Sequence, residues 1–487
     1  MRHAPGAPTL SSMTTSTDSR TQATAGDHAV VLGASLAGLA TAVTLAHRFD
    51  EVTIVERDAP PRADEPRRGV PQGRHAHLLL PAGMRGLAEL LPGFIDDLRN
   101  HGAHVIEAAE FRFHLGGGRL ALDDTALAIS GATRPLVERI VRERVRALPG
   151  VRIIDGHEVV GLASSTDRTR VTGARIRARA GQGEVETVTA ALVVDATGRA
   201  SRSPRWLADV GYAEPPEERL DVGVHYTTRL FRRDPADLGG CRHVAVGIPP
   251  DDGRGGLALA VEGGRWLVTL VGVRGKRPPA PLSGFVEYAR GLWQPDLHEI
   301  VAGAEPLGEA SIGAFPAYLR RRYDRLRRFP GRYIVIGDAL CALNPVYAQG
   351  MSVAIREAQL LGQVLDRHGL DGVGSRFLRR ATRDVDDAWL MATGADLADP
   401  AVEGSRPPTW RLVNAYLRRL MPVAHRDPVV ANAFLEVMAM VARPQRIMRP
   451  RIALRVLCAG RRTADPRSED TVRSAQPSCA DANSSTA

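Results

Sequence analysis

The run Gly33-Ala34-Ser35-Leu36-Ala37-Gly38 follows directly on the apolar stretch Ala29-Val30-Val31-Leu32 and opens a second apolar segment that reaches Arg48. No other part of the chain constrains the fold as much. A buried strand over Ala29 to Leu32, a glycine turn, a helix from Leu36 to about Arg48 and a second strand over Glu51 to Glu56 make the start of a βαβ unit. Parallel strands require such a crossover. In this pattern Gly33 makes the tight turn, the helix N-terminus stabilises a pyrophosphate, Gly38 lets the helix pack closely, and Glu56 accepts hydrogen bonds from a ribose diol. Ser35 departs from the pattern, which usually has glycine there. Its Cβ crowds the pyrophosphate, while its hydroxyl is able to donate to a phosphate oxygen.

With 487 residues the chain can bury a large core, and 44% hydrophobic with 24% charged residues describes a globular protein, neither disordered overall nor fibrous. The formal charge is +9, from 64 basic and 55 acidic residues. Lys276 is the only lysine, and arginine is spread along the chain without interleaved aromatics, so the charge reads as composition and nucleic acid is not an expected partner. Cys241, Cys341, Cys458 and Cys479 are far apart and form no CxxC, which indicates neither zinc nor a disulfide framework and fits a reducing cytoplasm. The N-terminal residues lack the apolar run of a secretory signal. Val429 to Ala442 is interrupted by Asn432 and Glu436 and is too short to span a bilayer.

Order is expected from Asp27 to about Gly460, with polar ends outside it. Pro135 to Ala147 reads as an amphipathic helix and Ala191 to Val194 as a buried strand. From Val222 to Val273 the runs VGVHYTTRLF, LALAVE and RWLVTLVGV have strand character, and Gly263-Gly264 marks a two-residue hairpin. Arg332 to Ile336 returns to the buried parallel type, and a long helix begins near Gly350. Beyond Asp384 the chain reads as amphipathic helix to about Val456.

Two further motifs follow strands. Val194-Asp195-Ala196-Thr197-Gly198-Arg199 resembles the DATG element of flavoproteins, and Gly337-Asp338-Ala339 with Asn344-Pro345 and Gly350-Met351-Ser352 resembles the GD element of flavin monooxygenases. At the latter, an acid at a strand end holds ribityl hydroxyls, and a helix N-terminus at Gly350-Met351 faces the negative side of the isoalloxazine.

From about Asp27 to Thr393 the sequence resembles the flavoprotein monooxygenases of the p-hydroxybenzoate hydroxylase fold, and within them the polyene epoxidases of polyether antibiotic pathways, the monensin and lasalocid type. The strings RRGVPQGRHAHLLL, DATGRASRSPRWLADVG, VHYTTRLFR, EGGRWLVTLVGVRG and GDALCALNPVYAQGMS carry that closer likeness. The resemblance implies an α/β protein: a Rossmann-like FAD-binding domain with an inserted, mainly antiparallel β-sheet substrate domain and a helical C-terminal region. The expected division is a disordered extension over 1–26, a discontinuous FAD-binding domain over 27–104, 118–205 and 325–383, a substrate domain over 105–117 and 206–324, a helical region over 384–458 and a disordered tail over 459–487.

Carried over by position, the resemblance places Gly33, Ser35, Gly38, Glu56 and Arg57 at the adenosine diphosphate, Arg134 as a further FAD contact, and Asp338, Gly350 and Met351 nearer the flavin. Arg67 and Arg68 compete for one place beside the ring. Arg134 also reads as a surface charge at a helix start, because Arg139, Arg142 and Arg144 on that helix read as solvated. His75 and His77 read as fixing their loop, since no third ligand is spaced for a metal. Tyr226, Phe231 and Trp266 read as core, with a pocket wall as the alternative.

The implied activity is flavin-dependent monooxygenation in specialised metabolism: epoxidation of carbon–carbon double bonds of an apolar polyketide or isoprenoid, free or carrier-bound, through a flavin C4a-hydroperoxide. No catalytic side chain is assigned, since the flavin carries the chemistry. Dioxygen is the co-substrate, and electrons come from NAD(P)H or a partner flavin reductase. An aromatic hydroxylase of the same fold and a geranylgeranyl-reductase-like enzyme are the alternatives. The amphipathic C-terminal helices read as core packing or as a peripheral membrane contact, and the oligomeric state is left open.

Overall fold

A computed structural model of the chain describes residues 26–59, 71–123, 125–179 and 183–462. Arg67, Arg68, and nearly all of the N-terminal extension and C-terminal tail lie outside the described residues.

Five parallel strands form the central sheet, in the spatial order Tyr333–Val335, Leu192–Asp195, Gly26–Leu32, Phe49–Val55, Val151–Ile154. Strand order reverses beside Gly26–Leu32, so a crevice opens at the carboxyl ends of that strand and of Leu192–Asp195. The Leu36–Ala46 helix is buried on almost every side, between this sheet and the helices Arg134–Arg146 and Gly350–His368. That burial explains its uniformly apolar sequence: Leu39 and Val43 are sealed from solvent, and each such side chain contributes about 1.5–3 kcal/mol. The helix stops at Ala46, two residues short of the expected end. There Arg48 turns back to donate to the Thr44 carbonyl at 2.6 Å and pairs with Asp366 through two nitrogens.

An eight-stranded sheet stands against this unit. It runs Cys341–Ala342, Ser311–Arg321, Glu217–Arg232, Arg265–Gly272, Arg254–Val261, His243–Val246, Phe111–Leu115, Gly118–Arg119, antiparallel except where His243–Val246 pairs with Phe111–Leu115. Because side chains alternate across a sheet, its two faces differ. Phe231 and Trp266 lie on the face covered by the Leu282–Arg290 and Asp296–Gly303 helices and are fully buried core residues. Tyr226 and Thr228 lie on the other face, toward the parallel sheet. The hairpin at Gly263-Gly264 has three linking residues where two were expected, since Val261 pairs with Arg265 and Glu262 joins the loop.

A three-stranded meander over His157–Ser164, Val171–Ala178 and Glu186–Thr189, not foreseen from the sequence, lies between the third and fourth parallel strands in the chain. The C-terminal region is four helices, Val373–Leu397, Pro408–Ala424, Pro428–Met438 and Pro450–Arg462, the last three each starting at a proline. Among the described residues no helix is long and apolar enough to cross a membrane.

Candidate functional site

The glycine turn has the geometry its sequence demands. Gly33 has φ +96°, and a Cβ there would stand 2.7 Å from the Ala196 carbonyl oxygen. At Gly38 a Cβ would come within 1.9 Å of the Gly33 carbonyl oxygen, so only glycine lets helix and turn close on one another. Ser35 is the N-cap of the Leu36–Ala46 helix yet makes no side-chain cap bond. The N–H groups of the first turn are thereby left to an outside acceptor.

Glu56, at the end of the second parallel strand, accepts from the backbone N–H of Ala34 at 2.8 Å and of Asp58 at 3.0 Å. The carboxylate is thus held at the mouth of the turn. Arg57 beside it is half exposed and lies 3.8 Å from Asp58.

Arg134 opens the Arg134–Arg146 helix and is 8% exposed, which excludes the surface-charge reading. Its Nε donates to Glu138 at 2.8 Å and its Nη2 to the Ser35 hydroxyl at 3.1 Å, while that hydroxyl donates to Glu138 at 3.1 Å. The Ser35 hydroxyl is therefore engaged by this pair and not turned toward a phosphate position. Arg142, expected in solvent, is buried as well and donates to the Ala34 carbonyl at 2.7 Å, bracing the glycine turn from behind. Two residues of one helix therefore hold the turn.

Asp195 of the DATG element is fully buried and saturated. It accepts from the Thr197 N–H at 2.8 Å, the Thr197 hydroxyl at 2.6 Å and the Ser201 hydroxyl at 2.5 Å, and from Ser203. It shapes the turn that presents Arg199. That guanidinium lies over the Phe315 ring at 5.0 Å, near Asp338, with Nη1 buried and without a partner among the described residues.

Asp338 sits at the end of the Tyr333–Val335 strand, in the short 3-10 turn Gly337–Ala339. Burial pushes its carboxyl up, and the positive charges of Arg134 and Arg199 pull it back down. The sequence-distant Arg134, Arg199 and Asp338 are thereby brought into one electrostatic neighbourhood. Below them the Glu357 carboxylate accepts from the Gly337 N–H at 2.6 Å, and burial raises its pKa to about 8. Gly350 and Met351 begin the 19-residue helix Gly350–His368, whose N-cap Gln349 makes no side-chain cap bond. Gln349 Oε1 and Ser352 Oγ are buried without partners among the described residues. Such orphans in a helix-start cleft fit a polar group that the protein itself does not supply.

The segment between Asp338 and Gly350 is clamped by a residue that the sequence reading missed. Asp396 accepts from the Tyr318 hydroxyl at 2.6 Å, the Tyr347 hydroxyl at 2.6 Å and the Asn344 amide at 3.0 Å. Burial raises its pKa against the pull of those three bonds.

His75 and His77 serve their loop. His75 Nδ1 pairs with the Thr228 hydroxyl at 2.8 Å, and its ring meets Tyr226 edge-on at 4.5 Å. His77 Nδ1 bonds the His75 carbonyl at 2.9 Å. Burial and neighbouring arginines lower the pKa of His75 to about 4 and that of His77 to about 3, so both are neutral imidazoles near pH 7. Among the described residues no group of three or more His, Cys, Asp or Glu could hold a metal ion. Tyr226, Val224 and Val271 form an apolar cluster with Phe315 and Val346, joining the large sheet to the clamped segment.

Two helix starts, an acid at each of two parallel-strand ends and a buried cationic pair around one crevice define a flavoprotein site of the dinucleotide-binding α/β class. A family model described as "FAD binding domain" matches residues 27–378, and the chain belongs to that family. Protein Rv3254 of Mycobacterium tuberculosis is 33% identical over 425 residues, covering 84% of this chain and 88% of that one. A kynurenine 3-monooxygenase of Salinispora tropica is 27% identical over 455 residues, covering 87% and 92%. In fold the chain is similar to PqsL of Pseudomonas aeruginosa, described as a probable FAD-dependent monooxygenase, with TM-score 0.58 at 18% identity, covering 76% of this chain and 97% of that one. The architecture is thus that of the p-hydroxybenzoate hydroxylase-type flavoproteins.

Proposed function

We propose that this chain uses its flavoprotein monooxygenase scaffold to epoxidise a carbon–carbon double bond of an apolar polyketide or isoprenoid. The observation that carries the reading is the apolar cluster of Val224, Tyr226 and Val271, against which pack Phe315 and, from the segment leading to Gly350, Val346. Flavin fits the crevice: glycine-only packing at Gly33 and Gly38, and buried orphan atoms on Gln349, Ser352 and Arg199, match a phosphate-bearing, hydrogen-bonding guest. When bound and reduced, FAD supplies the activation of dioxygen and the transfer of one oxygen atom.

The chain's own residues bind, orient and exclude water. The first turn of the Leu36–Ala46 helix and Glu56 hold the adenosine diphosphate end, with Arg57 at its rim; Arg134 and Arg142 fix that turn. Asp338 would hold the ribityl hydroxyls, and the N–H groups at Gly350 and Met351 would stabilise negative charge on the ring. The apolar wall keeps water from the reacting face, where it would divert activated oxygen to hydrogen peroxide. His75 and His77, held neutral, add no charge of their own beside this surface, where the nearest cation named is Arg199 over the Phe315 ring. Electrons are taken from NAD(P)H.

The test is aerobic incubation of the FAD-loaded protein and NAD(P)H with panels of polyenes and phenols under labelled dioxygen. One labelled oxygen in an epoxide supports the reading. Ring-hydroxylated phenols alone, or alkene reduction without oxygen uptake, would overturn it while leaving FAD binding intact.

A further inference from the structure

The surplus of positive charge is not evenly spread. Residues 408–458 contain nine arginines and two acids, a surplus of seven against nine for the whole chain. Both acids are already paired, Asp427 with Arg455 at 2.6 Å and Glu436 with Arg446 at 2.6 Å. In this same stretch five large apolar side chains face solvent: Leu412 is 75% exposed, Val413 47%, Met448 61%, Leu454 60% and Leu457 52%. Scattered singly they would mean little. Their placement is not scattered.

On the Pro450–Arg462 helix, Ile452 and Val456 are buried against the Pro408–Ala424 and Pro428–Met438 helices. At 100° per residue Leu454 and Leu457 fall on the opposite side, pointing away from the protein, and exposed Arg451 and Arg455 flank them. Met448 and exposed Arg449 precede the same helix. The Pro408–Ala424 helix lies alongside, its Tyr416 hydroxyl donating to the Ile447 carbonyl at 2.5 Å, and it carries exposed Leu412 with Arg411, Arg418 and Arg419. Protruding leucines ringed by arginines match a surface that is apolar inside and anionic at its boundary.

We infer that the Pro408–Ala424 and Pro450–Arg462 helices dock the protein on an anionic lipid surface, with Leu454, Leu457 and Met448 entering the headgroup layer and the arginines meeting lipid phosphates. Charge decides against a second copy as the occupant. A two-fold contact lays the same patch on itself, and here that would oppose two strongly positive faces. A nucleic acid would neutralise the arginines but leave the leucines in water.

The test uses the full chain and sedimentation with vesicles of pure phosphatidylcholine or of phosphatidylcholine and phosphatidylglycerol in equal parts. Binding is expected only to the anionic vesicles and is lost as salt is raised to about 0.5 M. Arg449→Gln with Arg451→Gln should weaken partitioning about 25-fold at low salt, from roughly fivefold per arginine at the surface. Leu454→Ser with Leu457→Ser should weaken it at least tenfold with circular dichroism unchanged, since both side chains already face solvent. The inference is overturned if the parent ignores anionic vesicles, or if either double variant binds as the parent does. It is equally overturned if the chain forms a dimer that the leucine variant dissociates, or if it binds duplex DNA but not vesicles.

Discussion

The hydroxyl of Tyr347 donates to Oδ1 of Asp396 at 2.6 Å, joining the segment beside the candidate flavin position to a helix that begins beyond it in the chain. Tyr318 and Asn344 share Oδ2. Asp396→Asn keeps the shape but removes the charge that strengthens all three bonds. The variant is expected to lose about 2–3 kcal/mol of stability and to bind FAD at least tenfold more weakly. Thermal unfolding and flavin titration check this; a variant with unchanged melting temperature and affinity would show that the clamp holds nothing.

Glu357 makes stability depend on pH. Its folded pKa, about 8, lies above the ordinary value of 4.5, so the folded state keeps a proton that the unfolded chain has released. Stability contributed by that proton is full below about pH 4.5 and is lost as pH rises toward 8, at a slope of at most about 1.4 kcal/mol per pH unit. Replacing Glu357 by Gln keeps a neutral acceptor for the Gly337 N–H. In flavin-free protein, the variant should gain on the parent in melting temperature between pH 5.5 and 8. Parallel curves would refute the assignment.

Arg199 provides one of the two positive fields on Asp338. Arg199→Met preserves contact with the Phe315 ring but leaves the carboxyl nearer to neutrality. FAD affinity is expected to fall about tenfold, and the loss to shrink as pH is raised and Asp338 ionises without help. A pH-independent loss would mean that Arg199 acts through contact alone.

Local rules made much of this legible. The glycine turn, the acid at the end of the next strand and the GD element depend on spacing within a few residues, and the structure places Gly33, Glu56 and Asp338 at turns and strand ends and Gly38 and Gly350 in the first turns of helices. Arg142 was misjudged because helical amphipathicity assigns a charged residue to solvent, whereas its partner is a carbonyl 108 residues earlier in the chain. Asp396 lies 49 residues from Tyr347 and 78 from Tyr318, with no spacing rule to connect them. The missed meander has alternating apolar positions in Val171–Ala178, but glycine and arginine interrupt the pattern. The conspicuous Asn344-Pro345 and Tyr347 were the available hint, since polar groups beside an apolar wall require a buried partner.

Glu262, the first residue of the hairpin loop, accepts from both the backbone N–H and the hydroxyl of Thr133 at 3.0 and 2.6 Å, and Thr133 caps the helix that Arg134 opens. The tip of the large sheet is therefore latched to the residue preceding Arg134, which in turn donates to Ser35. That latch is one of several joints between the large sheet and the rest of the molecule, beside the Tyr318 bond to Asp396 and the bonds of Arg321 to the Ala339 and Arg199 carbonyls. Hairpin tip, helix N-cap and glycine turn therefore lie on one continuous run of contacts, from Glu262 through Thr133 and Arg134 to Ser35.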